Sequence, residues 1–308
     1  MFINFEKWHG SKNDFVVTWM VSTDKDTVFE SLRRLAPAIC TRDGSGLGAD
    51  GILVIETIAR KDVVPVALHI INSDGSLAEN CGNGLRCAAM SVKRKANRDL
   101  NQEIEGVTFN VLGRSIDCRF TGKISRPLAA ISMPIPTINE ANSWHKEAVA
   151  AYKCLAASVS KLNGDLTTVG IGNPHIVAIV EEASSELARK AGAPLQSIRG
   201  GDGINVHLAH VENVTDKDRQ QAKAELGDPI SELYRVWPWE RGAGATQACG
   251  TGACAVALAA YDTGTVDRSS WVAIEMPGGR VYARQSNEGE PVILAGPAVF
   301  VFAGEIEI

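Results

Sequence analysis

The chain predicts a mixed α/β (α+β) fold made of two related halves, each a set of short strands around one alanine-rich helix. An internal echo is the first reason: Cys81-Gly82-Asn83-Gly84 stands at the mouth of one small-residue helix, and Cys249-Gly250-Thr251-Gly252 at the mouth of another. Apolar runs of strand length, bounded by Gly, Pro, Asn and Asp, flank both helices. Between them Pro134-Ile135-Pro136 interrupts the pattern and marks the expected boundary between residues 1–133 and 134–297. Each thiol is thereby placed where a helix leaves backbone N–H groups unpaired.

In the first half, residues 2–8 read as a strand, His9-Gly10-Ser11-Lys12-Asn13-Asp14 as a polar turn, and 15–20 as the returning strand. Val28, Leu32, Leu35 and Ile39 have helical spacing over 26–40. The glycine-rich loop 43–51 precedes the strand 52–56 and lacks a Gly-Lys-Ser/Thr ending, so neither a P-loop nor a dinucleotide fingerprint is supported. A strand over 63–71 delivers the chain to the turn Asn72-Ser73-Asp74-Gly75-Ser76 and then to Cys81. Residues 85–95 form the first central helix, with Arg94 and Lys95 at the end where the helix dipole favours cations. Short strands over 106–111, 116–120 and 129–133 close the half.

The second half reads as a helix over 140–162, a strand over 167–171, the turn Gly172-Asn173-Pro174-His175 and a strand over 176–180. Pro174 forces Asn173 to be extended, so its side chain projects from a fixed backbone. A helix over 184–191, a turn at Asp202-Gly203, a strand through Asn205 to Leu208 and a solvated polar segment over 216–227 follow. A strand over 234–236 leads to Glu240-Arg241 and Cys249, and the helix 253–261, apolar all round, is expected to be buried. Strands over 271–276, 280–285, 290–295 and 298–303 finish the chain. Cys87 and Cys254 are expected on buried helix faces, and Cys118 and Cys154 as packing residues.

A net charge of −5 and a pI near 5.7 argue against a nucleic-acid or acidic-membrane partner, while leaving room for a small anion at a local site. With no basic-then-apolar N-terminus and no bilayer-length apolar run, the chain is expected to be cytoplasmic. Seven cysteines then suit reduced thiols better than a disulfide framework. No Cys-X-X-Cys spacing occurs and the histidines do not cluster in sequence, so no structural metal is expected.

The ordered set His9-Gly-Ser-Lys-Asn-Asp-Phe15, Asn72-Ser-Asp-Gly-Ser76, Asn80-Cys-Gly-Asn-Gly84, Gly172-Asn-Pro-His175, Asn205-Val206, Glu240-Arg-Gly-Ala-Gly244 and Cys249-Gly-Thr-Gly252 resembles the diaminopimelate epimerases over nearly the whole chain. The resemblance implies two pseudo-symmetric α/β halves, each a curled, mostly antiparallel sheet or barrel around a central helix, with the active site in the cleft between them. It also implies that the last strand, about 298–308, returns to the first half. The implied activity interconverts LL- and meso-2,6-diaminopimelate, in lysine and peptidoglycan precursor synthesis, without a cofactor. Carried over by motif, Cys81 and Cys249 are the catalytic acid/base pair. Asn13, Asn72, Gly82, Asn83, Asn173, Asn205, Glu240, Arg241, Gly250 and Thr251 bind substrate, and His175 supports the site. The implied partner is that small molecule alone, with a homodimer compatible with the family.

The chemistry also follows from the residue types. Inverting a carbon that bears hydrogen requires a base on one face and an acid on the other, which two thiols supply. A helix N-terminus contributes roughly 0.3–1 kcal/mol, too little by itself to hold a thiolate at neutral pH. Closure that excludes water, and coupled titration of the two thiols, are expected to supply the rest. A substrate carboxylate fits the N–H groups of Gly82-Asn83-Gly84 and Gly250-Thr251-Gly252. The family resemblance further implies a substrate with two amino-acid heads, whose far carboxylate Arg241 can clamp bidentately.

Three departures from the family bear on the pocket. Ser11-Lys12 stands where Leu-Gly is more usual, the interval between the cysteines is extended over 140–165, and Val236-Trp237-Pro238-Trp239 is expected to crowd the approach to Glu240. Rival readings are a cofactor-independent racemase or epimerase of another amino acid, a cysteine hydrolase with His175 as base, and a non-catalytic binding protein. Asn83 stands where a hydroxyproline-type enzyme more typically has histidine.

Overall fold

The computed structural model describes residues 2–59, 63–78, 81–122, 127–140, 143–198 and 203–308. Asn80 and Asp202, named above in a motif and a turn, lie outside them. The chain forms two compact units, Met1–Ile131 with Gly296–Ile308, and Ser132–Ala295.

In the first unit β1 (Phe2–Gly10) and β2 (Asn13–Val21) form a hairpin. Its turn is Ser11-Lys12 alone, with φ of 55° and 64°. Two left-handed residues in a row give the mirror-image turn that follows strand twist, here adopted without glycine. The expected six-residue turn is thus corrected to two, and Asn13 and Asp14 belong to β2, opposite Gly10 and His9. After α1 (Lys25–Cys40), β3 (Gly51–Thr57) pairs in parallel with β2. β4 (Ala67–Asn72) starts later than expected, after Pro65, which cannot donate to a ladder.

The central helix α2 (Gly82–Leu100) packs against β1, β2 and β3, and also against β5 (Gly106–Val111) and β6 (Arg114–Thr121) of an antiparallel meander that ends in β7 (Leu128–Ser132). Because α1 and α2 both pack on β3, that strand is buried along its length and shows no apolar-polar alternation. The last strand, β17 (Val299–Glu307), pairs with β1, giving the order β17-β1-β2-β3-β4.

The second unit contains, in chain order, β8 (Thr137–Ile138), α3 (Ser143–Ala156), β9 (Asp165–Gly170), β10 (Pro174–Ile179), α4 (Ser185–Leu195), β11 (Asn205–Glu212) and α5 (Asp216–Leu226). β12 (Ile230–Glu240), β13 (Gly244–Ala245), α6 (Gly250–Asp262), β14 (Trp271–Met276), β15 (Gly279–Arg284) and β16 (Ile293–Gly296) complete it. Its strands lie in the order β16-β15-β14-β12-β11-β10-β9-β8, antiparallel except β10 with β11 and β12 with β14. α6 packs against β8 to β12, β14 and β15, so one helix is covered by most of the sheet. Such wrapping is what an all-apolar helix requires, and its residues from Gly252 to Tyr261 are buried. On the other face α3 and α4 build a core with Tyr152, Ile176, Leu187 and Leu208. Among the described residues the strand paths stay open, so the barrel alternative is not adopted.

Three further expectations change. Residues 216–227 hold a helix, α5, capped by Thr215 and Asp218 in a reciprocal pair; only Ala222 is buried on it, so no apolar periodicity announces it. The helix expected over 140–162 stops at Ala156. Cys154 is exposed rather than packed, whereas Cys87, Cys118 and Cys254 are buried.

Candidate active site

Each central helix starts at its Gly-X-Gly rather than after it, and each cysteine is the N-cap. Cys81 (φ −151°, ψ 96°) accepts the Gly84 N–H at 3.3 Å, and Cys249 (φ −131°, ψ 113°) accepts the Gly252 N–H at 3.3 Å. A thiol in the position of a capping oxygen shares the N-terminal N–H cluster with any bound anion. Low helix propensity hid these first turns from the sequence reading, but close packing accounts for the glycines. A Cβ at Gly84 would lie 3.1 Å from Leu53, and one at Gly252 would lie 2.4 Å from the His207 ring.

Around the half-buried Cys81, the Asn13 carbonyl faces the sulfur at 4.0 Å and accepts from Asn83 Nδ2 at 3.3 Å. Asn13 Nδ2 donates to Asp50, which also accepts the Asp14 backbone N–H at 2.9 Å. Arg86, wholly buried, donates to Asn83 Oδ1 at 2.7 Å and Ser11 Oγ at 3.2 Å, tying the hairpin turn to the helix mouth. Asp14 is flanked by Lys7 at 2.7 Å and by Arg42. Burial acts to raise its pKa, but hydrogen bonds from Arg42 and Lys7 and their charges outweigh it, and the carboxyl stays below its usual range. Asn72 is exposed and donates to Ser76 Oγ at 2.9 Å, within its own turn.

Cys249 is buried, its N–H directed to Met276 Sδ at 3.3 Å and its sulfur 3.5 Å from Thr251 Oγ1. Burial raises its pKa well above a normal thiol and the neighbouring Glu240 charge adds to this, against hydrogen bonds from Thr251 and Gly252. Glu240 is itself raised by burial, an effect reduced by hydrogen bonds from Thr246, at 2.5 Å, and Cys249. Cys249 is therefore a neutral thiol. Asn205, 2% exposed, accepts the Arg241 N–H at 3.0 Å and donates to Pro174 O at 3.4 Å, so it joins the two loops that carry Arg241 and Asn173. Arg241 is exposed.

The expected crowding of Glu240 by aromatics is corrected. Trp237 and Trp239 point to the face of β12 that meets the α3–α4 core, whereas Glu240, one position on, bonds Thr246. Trp239 donates to Gln196 Oε1 at 3.0 Å, and a Cβ at Gly192 of α4 would lie 2.2 Å from its ring.

The histidines, dispersed in sequence, do cluster in space. Parallel pairing of β10 with β11 brings His175 Nδ1 within 2.9 Å of His207 Nε2, and the donor atoms of His175, His207 and Cys249 lie within 4.8 Å of one another. His175 Nε2 meets Asn173 Oδ1 at 2.8 Å. Burial lowers both pKa values, helped at His175 by the charges of His207 and Arg241; His207 falls from 6.5 to about 3. Since the folded state holds these rings neutral, their contribution is complete above pH 6.5 and is lost as acid protonates them in the unfolded chain. Stability should fall below pH 6.5 by roughly 1 kcal/mol per pH unit for each ring. Urea unfolding at pH 7.5 and 5 measures this, and a flat profile would contradict it.

The structure gathers Asn13, Gly82 and Asn83 at Cys81, and Glu240, Gly250 and Thr251 at Cys249. Asn173 bonds His175, Asn205 bonds the Pro174 carbonyl and the Arg241 N–H, and among the described residues the Asn72 side chain bonds only within its own turn. Sequence reading missed Asp50, Arg86, Thr246 and His207. Only strand pairing reveals His207, whereas Arg86, one turn into α2, was within reach of helical spacing.

These features define a two-unit α/β protein with one helix-capping thiol in each unit. The diaminopimelate epimerase family matches residues 5–109 and 167–301. A diaminopimelate epimerase of Pseudomonas syringae pv. syringae is 32% identical over 315 residues, covering 100% of both chains. In fold, the chain is similar to a Bacillus anthracis phenazine biosynthesis protein of the PhzF family (14% identity, TM-score 0.64, 100% of both chains). It is also similar to a hydroxyproline epimerase from Agrobacterium vitis (11% identity, TM-score 0.58, 99% of this chain and 91% of the other). The chain belongs to the diaminopimelate epimerase family. Among the described residues no helix is long and apolar enough to cross a membrane.

Proposed function

We propose that the chain interconverts LL- and meso-2,6-diaminopimelate, a step toward lysine and peptidoglycan precursors, by proton transfer between two thiols at one α-carbon. The observation that carries this reading is the matched pair of cysteine N-caps, each accepting a first-turn N–H at 3.3 Å, in a chain of this family. Cys81 in its thiolate form removes the α-proton from one face, and the Cys249 thiol delivers its proton to the other; the next turnover in the same direction requires Cys81 to release the proton it took and Cys249 to regain one from solvent. The neutral state of Cys249 supports its role as the acid. Negative charge building on the α-carboxylate is met by the N–H groups of the two helix mouths. Asn13, Asn72, Asn173, Asn205, Glu240 and Arg241 hold the two amino-acid heads, Arg241 as the carboxylate clamp.

Incubation with LL-diaminopimelate should yield the meso form without added cofactor, as followed by chiral chromatography. Inertness toward diaminopimelate with racemisation of a mono-amino acid would instead assign another substrate on the same fold.

A further inference from the structure

We propose that His207 is a positioning residue that fixes the tautomer of His175 and so decides which end of the Asn173 amide is presented to substrate. The functional half of this proposal rests on the epimerase reading; the tautomer half stands on the hydrogen bonds alone.

The amide oxygen of Asn173 can only accept, so the contact at 2.8 Å places the proton of His175 on Nε2. In a neutral ring Nδ1 is then an acceptor, and the 2.9 Å contact to it must be a donation from His207 Nε2. His207 Nδ1 is left as a bare lone pair, and among the described residues that atom has no hydrogen-bond partner. Reversing the chain of protons would put an orphaned N–H at this buried position, the rarer and less tolerated of the two outcomes. It would also turn the Asn173 amide end for end. This direction commits the Asn173 oxygen to His175 and leaves the NH2 group of this half-buried residue as a donor suited to a carboxylate.

Packing holds the relay in place. The two rings stack with centroids 5.1 Å apart and planes 28° apart. Gly252, in the first turn of α6, has its Cα against His207, with room for no side chain there. The His207 ring therefore joins the mouth of the Cys249 helix to the loop that carries Asn173.

The test is nitrogen NMR of the full chain with 15N-labelled histidine at pH 7.5, together with kinetics. The wild-type spectrum should show both rings neutral with the proton on Nε2. In His207→Leu, His175 should lose that single tautomer and KM for diaminopimelate should rise about tenfold with a smaller change in kcat, the size expected for losing one well-directed hydrogen bond. His207→Gln, whose amide can donate to His175 Nδ1, should restore both. A wild-type His175 protonated on Nδ1, or a folded His207→Leu protein with unchanged tautomer and KM, would overturn the proposal. Should His207→Leu not fold, the wild-type spectrum and the glutamine variant decide. A wild-type chain inert toward diaminopimelate but with the expected tautomers would reject the substrate reading and leave the relay standing.

Discussion

Cys81→Ala and Cys249→Ala proteins should each lose interconversion of diaminopimelate, with kcat down by roughly 10²–10⁴-fold or more, the contribution typical of one general acid or base. The two losses should not add. Once either face lacks its proton carrier the inversion cannot be completed, so the double variant should be little worse than either single one. Folding should survive, since removing a capping side chain costs about 1 kcal/mol and each helix keeps its packing. Cys249, 4% exposed, is the more sensitive of the two, because alanine also leaves a small void beside Met276 and Thr251. Circular dichroism melts run alongside the kinetics separate these effects. A single variant that keeps full turnover would show that only one thiol takes part.

Gly192→Ala should destabilise the second unit, although alanine is the better helix former by roughly 1 kcal/mol. The added carbon would lie 2.2 Å from Trp239 Cγ and 2.5 Å from its Cβ, atoms too close to the backbone to swing away. Either α4 lifts off the sheet or the indole leaves its bond to Gln196, and overpacking of this kind costs about 1–3 kcal/mol. The overlap outweighs the propensity gain, and urea unfolding should show a net loss. Trp239→Leu added to Gly192→Ala should recover part of it, a coupling that a double-mutant cycle reads directly. Activity should fall as well, because Trp239 immediately precedes Glu240 on β12.

What the sequence disclosed depends on how local the cause was. The cysteine echo is local, a thiol followed by Gly-X-Gly, and it located both N-caps before any pairing was known. The apolar helix α6 disclosed its own burial, since no face of it is suited to water. α5 stayed hidden because it is held by the Thr215–Asp218 cap, by polar bonds from Arg280 to Asp218 and from Tyr282 to Glu225, and by a single buried alanine rather than by an apolar stripe. The Ser11-Lys12 turn looked wider than it is because its residues carry no glycine to mark the left-handed backbone. His207 was out of reach for a different reason. It reaches His175, two positions before its register partner Val177, through the parallel pairing of β10 and β11, and no spacing along the chain encodes that choice. The aromatics near Glu240 were misplaced because their side of the strand is set by α4, whose Gly192 accepts the indole.

The central claim is that two different thiols exchange the proton at one carbon. Its most direct test follows early turnover of LL-diaminopimelate in heavy water by proton NMR and mass spectrometry. The meso product should carry one deuterium at the inverted α-carbon while the remaining LL substrate keeps its hydrogen, because the base that takes the proton is not the acid that returns one. Product that retains the substrate's own proton would mean a single base working on both faces, and would contradict the account.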